Sequence, residues 1–466
     1  VNRGYVFALT LVATLGGLLF GYDTAVISGT VGSLGKFFIE PYHLSETTAN
    51  SWLGFTVSSA LIGCVLGGLS GGLVSLCLGR KKGLILAAVL FLISAIGSAV
   101  PEIFFRAAGK GDHTFLVHFV IYRILGGIGI GLASMLSPMY IAEISPPQIR
   151  GRLVSWNQFA IILGMLVVYF VNYLIALSGD EVWLHRTGWR WMFASGTVPA
   201  GLFLILLLFV PETPRYLVIK NRHKKALEVL AKINGIEKAK TVLEEIRSTI
   251  ATHSGRLFSF GFLVIIIGIL LSVFQQFVGI NVVLYYAPEI FRNMGSGTDS
   301  ALLQTVVVGI INLTFTIIAI YTVDKSGRKP LQIIGALGMA LFMFLLGFAF
   351  YFNSLGWAAL IFMLGYVACF AVSWGPVTWV LLSEVFPNRI RGRAMAVAVA
   401  AQWISNYLVS STFPILDKST WLTGHFHHGF SYWIYGIMGI LAAWFVWKLV
   451  PETRGKSLEE MEKLWK

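Results

Sequence analysis

This sequence has very little charge. Only 12% of its 466 residues are Asp, Glu, Lys or Arg, about half the ~25% usual in soluble domains, which excludes a protein with water on most of its surface. Cysteine is nearly absent. Cys64, Cys77 and Cys369 form no C-x-x-C pair, which excludes a disulfide framework and leaves them as small buried residues. Acids are scarcer than bases, 22 against 35, and no nucleophile–base constellation emerges, so an enzyme is not expected. No cleavable signal peptide is evident, and the first apolar run can itself direct insertion.

What is present is apolar. The chain is 56% hydrophobic with a mean hydropathy of +0.76. Its 49 glycines and 14 tryptophans suit close-packed membrane helices and their interfacial belts. Twelve runs are long enough to span a bilayer as helices: 6–28, 50–75, 82–101, 116–140, 150–176, 190–210, 258–286, 301–323, 329–351, 357–382, 392–415 and 431–450. The stretch 213–256 is polar instead. Its apolar residues Ala226, Val229, Leu230 and Ile233 recur at helical spacing, so amphipathic helices are expected there.

One phrase occurs twice. Glu143-Ile144-Ser145-Pro146-Pro147-Gln148-Ile149-Arg150-Gly151-Arg152 returns as Glu384-Val385-Phe386-Pro387-Asn388-Arg389-Ile390-Arg391-Gly392-Arg393. Leu78-Gly79-Arg80-Lys81 returns as Ser326-Gly327-Arg328-Lys329, and Pro211-Glu212-Thr213 as Pro451-Glu452-Thr453. Three echoes in one order imply two homologous halves, a plan used by secondary transporters. The expected architecture is an all-α integral membrane fold of twelve helices in two pseudo-symmetric six-helix bundles. Residues 1–210 form the first bundle, 211–256 a helical linker, 257–450 the second bundle and 451–466 a tail.

Alternate assignment of the loops to two faces sorts the charge. One face collects only Lys36, Arg106, Lys110, Arg186, Arg190, Arg292 and Lys418. All other bases except Arg123 lie on the face of the termini, which the positive-inside rule makes cytoplasmic. The net charge of +13 is therefore a topology signal and not a nucleic-acid surface.

Two ionisable residues lie deep in the spans, Asp23 in the first and Arg123 in the fourth. Each unpaired would cost about 2.5–3.5 kcal/mol on insertion scales, so they are expected to pair. Such a pair is a proton switch, because Asp23 can take a proton when it is pulled from Arg123. A fixed structural ion pair is the alternative. Amides are more numerous: Asn157 and Gln158 in the fifth span, Gln275, Gln276 and Asn281 around Gly279 in the seventh, Asn312 in the eighth and Gln402 in the eleventh. Trp374, Trp379 and Trp403 accompany them. Amides offer donors and acceptors and rings offer flat apolar faces, a combination suited to a neutral polyhydroxylated ligand. Anionic ligands and drug cations fit less well.

Gly68-Leu69-Ser70-Gly71-Gly72 matches the esterase pattern but lacks a strand before it. With Gly63 and Gly67, and with Gly127, Gly129 and Gly131, it reads as helix packing. His425, His427 and His428 have no obvious acidic or Cys partners and read as loop surface, with no metal expected.

Over its whole length the chain resembles the sugar porters of the major facilitator superfamily. The strings that carry the likeness are Gly16-Gly17-Leu18-Leu19-Phe20-Gly21-Tyr22-Asp23, Pro211 to Arg215, Gln275 to Asn281, Val323 to Lys329 and Pro451 to Lys456. Phe274 to Pro288 and Phe386 to Gln402 look like the bacterial D-xylose/proton symporters of that family. The resemblance implies proton-coupled symport of a neutral monosaccharide, D-xylose foremost, across a bacterial inner membrane by alternating access. A passive hexose or pentose facilitator and a sugar sensor are the alternatives. It implies sugar binding by Gln158, Gln275, Gln276, Asn281, Asn312 and Gln402, in a pocket shaped by Phe20, Tyr285, Gly375, Trp379 and Trp403. Asp23 would carry the proton under the control of Arg123. Arg80, Glu143, Arg150, Asp324, Arg328, Glu384 and Arg391 would form a cytoplasmic gate. The partners implied are a monosaccharide, a proton and the bilayer, with no cofactor, no nucleic acid and a single chain sufficient. Two departures stand out. Cys77 replaces the family's basic residue, which predicts a weaker latch in the first half. Met165 stands where the xylose carriers have glutamine, which leaves pentose against hexose open.

Overall fold

The computed structural model describes residues 2–146, 149–250, 257–387 and 390–454, without the side chains of 150–152, 248–250, 324 and 325. Among the described residues the regular structure is helical. Eleven helices or helix pairs are long and apolar enough to cross a bilayer: span 1 Arg3–Gly29, span 2 Glu46–Cys77, span 3 Arg80–Ala99, span 4 His113–Ile144, span 5 Leu153–Ala176, span 6 Glu181–Phe209, span 7 Phe262–Asn293, span 8 Thr298–Val323, span 9 Arg328–Tyr351, span 10 Trp357–Val385 and span 12 Gly429–Leu449. Span 11 is the helix Arg391–Asp417. It is less apolar than the other spans because it carries Gln402, Ser405, Asn406 and Ser410, and it packs against both span 2 and span 7. A helix flanked by protein on two sides needs less apolar surface than one facing lipid.

The polar stretch after span 6 forms three helices, Pro214–Ile219, His223–Asn234 and Ile236–Ile250. The second buries Ala226, Val229, Leu230 and Ile233, the stripe that its spacing predicts. Residues 251–256 of the expected linker and 455–466 of the expected tail lie outside the described residues.

Two spans are broken where polar residues gather. Span 7 stops at Phe277 and restarts at Ile280, with Gly279 between at φ +91°. A side chain there would meet both the left-handed strain and the Tyr435 ring, 2.7 Å from an added Cβ. Span 10 breaks at Ser373, where φ is −127° and ψ −88°. Irregular backbone inside a bilayer is tolerated where it is buried in protein or lines a cavity.

Close packing explains the glycines. A Cβ at Gly63 would stand 2.0 Å from the Ile124 carbonyl oxygen, and one at Gly127 would stand 1.8 Å from that of Ala60. Spans 2 and 4 thus touch backbone to backbone, as the small-residue stripe predicts. Gly21 and Gly164 bring spans 1 and 5 together in the same way. The packing repeats between halves: span 1 lies on span 5 as span 7 on span 11, and spans 2 and 3 lie on span 4 as spans 8 and 9 on span 10. The main contacts between halves, span 2 with span 11 and span 8 with span 5, are also a symmetric pair.

The Pro-Glu-Thr echo has a structural purpose. Gly79 (φ +95°) turns the chain into span 3, and the Glu212 carboxylate accepts the first N–H groups of that span, from Arg80 and Lys81, at 3.1 Å each. In the second half Gly327 (φ +87°) makes the same turn, and Glu452 accepts from Arg328 at 3.2 Å and Lys329 at 3.0 Å. Each carboxylate caps a helix N-terminus, whose N–H groups otherwise lack partners.

Candidate functional site

The break in span 7 brings its three amides into one chain of hydrogen bonds. Gln275 Nε2 donates to the carbonyl of Trp374 at 2.8 Å, just past the break in span 10. Gln402 Nε2 of span 11 donates to Gln275 Oε1. Gln276 Nε2 reaches the same oxygen at 3.5 Å, and Asn281 Nδ2 donates to Gln276 Oε1 at 2.5 Å. Gln275 and Gln276 are buried, while Asn281 and Gln402 are partly open. Amides that satisfy one another can exchange those bonds for ligand hydroxyls with little desolvation cost. Asn312 is buried in span 8 and Gln158 half-buried in span 5. Neighbouring Asn157 is turned toward span 1: its Oδ1 is 2.6 Å from where a Gly17 Cβ would stand, and it has no hydrogen-bond partner.

Aromatic rings stand beside the amides. Phe20 of span 1 and Trp403 of span 11 meet across the two halves, ring centres 5.5 Å apart. Trp379 is half-buried, one turn beyond Gly375. Tyr285 is buried, and its hydroxyl accepts from Asn406 Nδ2 at 3.3 Å. Asn406 is held in turn by Ser410, whose hydroxyl donates to Asn406 Oδ1 at 2.9 Å. Trp374 plays a different part: it is fully buried and donates from Nε1 to the Gln332 carbonyl at 2.9 Å, tying span 10 to span 9.

Asp23 and Arg123 form a pair, 3.0 Å from Nη1 to Oδ1. Arg123 is 1% exposed, and its Nη2 also donates to the Asp23 main-chain carbonyl at 3.1 Å. The second carboxylate oxygen, Oδ2, is buried without a hydrogen-bond partner. Phe20 sits one helical turn before Asp23, so the ring facing Trp403 and the acid facing Arg123 share a rigid segment.

The residues expected at the gate fall into two matching clusters. Arg80 Nη2 meets Glu143 Oε1 at 2.7 Å, and Thr213 donates to Glu143 Oε2 at 2.6 Å. Arg328 Nη2 meets Glu384 Oε1 at 3.1 Å, and Thr453 donates to Glu384 Oε2 at 2.5 Å. Each of these bonds stays inside its own half. Arg391 Nη2 donates to the Phe386 carbonyl at 3.1 Å. The Arg150 and Asp324 side chains lie outside the described residues. The first-half pair, Arg80–Glu143, is the shorter and more buried of the two. Cys77 offers this cluster its carbonyl, which accepts from Tyr216 at 3.0 Å.

On the face opposite the termini the halves are in direct contact. Glu46 of span 2 accepts from the Thr420 N–H at 2.5 Å and from its hydroxyl. A Cβ on Gly54 would stand 1.9 Å from the Ser411 carbonyl oxygen, and Tyr169 of span 5 donates to the Leu284 carbonyl at 2.8 Å. The chain is closed on this face.

Two polar clusters there escaped the sequence reading. Glu102 is fully buried and takes Arg190 Nη1 at 2.9 Å. His428 corrects an expectation: it is not loop surface but pairs with Asp417 Oδ1 at 3.0 Å, while Asn293 donates to Asp417 Oδ2 at 3.0 Å. Burial pulls the His428 pKa down, and the bond to Asp417 and its charge outweigh burial, so the net direction is up. Asp417 ends span 11 and His428 precedes span 12, so a loop-end acid followed by a loop-end histidine was the available signal.

A family model for sugar (and other) transporters matches residues 9–465. The D-xylose-proton symporter of Escherichia coli (strain K12) is 62% identical, covering 100% of this chain and 96% of that protein. The glucose facilitated diffusion protein of Zymomonas mobilis subsp. mobilis is 44% identical, covering 100% of this chain and 98% of that one. Among solved structures, the inward open conformation of the xylose transporter XylE from E. coli superposes with a TM-score of 0.91 at 60% identity, covering 99% of this chain and 100% of that chain.

Proposed function

The chain belongs to the sugar transporter family, and from that premise we propose that it carries D-xylose together with a proton across a bacterial inner membrane. It is a multi-pass membrane carrier and not an enzyme. The basic face, with both termini, is cytoplasmic, and the contacts at Glu46, Gly54 and Tyr169 close the outer side. Residues 1–210 and 257–450 act as the two rocking bodies, 211–256 joins them, and 451–466 is a cytoplasmic tail. One chain suffices for transport.

The observation that carries the coupling is the Asp23–Arg123 pair with its unpartnered Oδ2. A proton on Asp23 removes the charge that holds Arg123 and frees span 1 to move with Phe20. Sugar then replaces the mutual bonds of Gln275, Gln276, Asn281 and Gln402. Gln158 and Asn312 complete its hydrogen bonds, and Phe20, Tyr285, Gly375, Trp379 and Trp403 shape the pocket. Arg80, Glu143, Arg150, Asp324, Arg328, Glu384 and Arg391 form the cytoplasmic gate, which meets across the halves when the carrier faces outward. One charge moved through ~100 mV supplies ~2.3 kcal/mol, roughly a 50-fold gradient.

Proteoliposomes test this reading. Xylose should accumulate under an imposed inward proton gradient, and its entry should alkalinise the outside. If xylose equilibrates but never concentrates, the chain is a passive facilitator, the behaviour named for the Zymomonas relative.

A further inference from the structure

A second polar cavity lies on the termini face, away from the amide chain. It measures about 340 Å³ and is lined by the start of span 1 at Tyr5, the start of span 3 at Lys81, Glu212 after span 6, and the linker helix His223–Asn234. Arg222, Lys225, Val229 and Lys232 follow one another at three-, four- and three-residue steps. That spacing puts them on one helix face, and all four line the cavity. The neighbouring face, with Ala226, Leu230 and Ile233, is buried against the protein.

The charges in this cavity do not balance. Lys81, whose Nζ donates to the Leu208 carbonyl at 3.0 Å, lines the groove with Arg222, Lys225, Lys232, Glu212 and Glu228, so four bases against two acids leave two positive charges over. Glu212 is moreover engaged by the N–H groups of Arg80, Lys81 and Thr213. Among the described residues, none of Arg222, Lys225 and Lys232 has a carboxylate within 4.0 Å. The space is a half-open groove with Arg222, Lys225 and Lys232 exposed on its wall, and bases gathered on one groove without paired carboxylates make a positive field that favours an anion.

We propose that this cavity binds a phosphate-bearing anion. A phosphomonoester carries about −1.5 to −2 at neutral pH, which matches the surplus, and lysine and arginine are its usual partners. Bound there, the anion ties the linker helix to the starts of spans 1 and 3. The site does not depend on which sugar is carried.

The test uses the full chain in detergent and in nanodiscs, read by thermal unfolding and calorimetric titration at constant ionic strength. Inorganic phosphate and a pentose 5-phosphate are the soluble probes, with chloride as control. Nanodiscs of phosphatidylcholine, alone or doped with phosphatidylglycerol, probe a lipid headgroup. Saturable stabilisation is expected in the wild-type chain and in Lys224→Ala. It should weaken about tenfold or more in Lys225→Ala/Lys232→Ala, the scale of one charge-assisted hydrogen bond, and tighten in Glu228→Gln. Sugar counterflow without the anion should be the same in all of them. A response to the soluble probes identifies a free phosphate ligand, and a response only to phosphatidylglycerol identifies a headgroup. No saturable response to any probe, or a double variant that responds as the wild type does, overturns the proposal. If the double variant misfolds, Glu228→Gln decides: unchanged affinity there also overturns it.

Discussion

Arg123 holds Asp23 twice, through the carboxylate at 3.0 Å and through the main-chain carbonyl of the same residue at 3.1 Å. Only the first bond depends on protonation. A proton on Asp23 would therefore weaken the contact without abolishing it. Asp23→Asn should mimic the protonated state permanently. Accumulation of xylose against a gradient should be lost while sugar counterflow continues, measured in proteoliposomes with labelled xylose. Loss of counterflow too would show that the pair is needed for the rocking motion itself.

Removing the base should also be costly. Arg123→Met leaves a buried carboxylate without its cation, a change that costs about 3–5 kcal/mol when nothing compensates. Thermal unfolding at neutral pH should show that loss, and a double-mutant cycle with Asp23→Asn should recover most of it. Equal loss in both backgrounds would mean that Arg123 matters for packing, including its position 5.3 Å from the Phe193 ring, and not for charge.

Gln275 is the hub of the amide chain, bonded to Trp374, Gln276 and Gln402. Gln275→Leu should weaken sugar binding about tenfold or more, since it removes direct bonds worth about 0.5–1.5 kcal/mol each and unfastens its neighbours. Calorimetric titration with xylose reads this directly. Asn157→Ala, whose side chain faces span 1, should change affinity much less.

Gly54 has no room for a side chain while the outer face is closed, because the Ser411 carbonyl occupies the position of its Cβ. Gly54→Trp should therefore wedge spans 2 and 11 apart and hold the carrier open outward. Spin labels across the outer ends of those spans should report a longer distance than in the wild type, and transport should stop while outside sugar still binds.

His428 makes one element of stability depend on pH. Its pKa is raised above the ordinary 6.5 by Asp417, against the pull of burial. The pair therefore stabilises the fold fully below the unfolded value and loses that contribution as pH rises through the raised folded value. The difference in melting temperature between wild type and His428→Gln should be largest near pH 5.5 and shrink by pH 8.5. A difference that does not vary with pH would assign His428 a purely steric role.

Much of this was legible before any coordinates. The twelve apolar runs all correspond to spans, the linker stripe at Ala226, Val229, Leu230 and Ile233 is buried, and Asp23 finds Arg123. These features are local or follow from a single strong penalty: apolar runs must meet lipid, and a lone intramembrane charge must meet its opposite. What escaped were pairings between segment ends, such as Asp417 with His428 and Glu102 with Arg190. Such residues sit where the membrane penalty fades, so nothing in their immediate sequence demands a partner.

The sequence by itself determined the membrane class, the duplication, the face that carries the bases and the set of amides. The tertiary structure alone decided that Glu212 and Glu452 cap helices, that Arg80 meets Glu143 and Arg328 meets Glu384, and that Lys225 and Lys232 share a cavity with Lys81. Hydropathy and repeat are summed along the chain and survive any packing. A cap, a cluster or a cavity exists only when residues more than fifty positions apart are held within a few ångströms, and backbone contacts such as Gly63 on Ile124 are what hold them there.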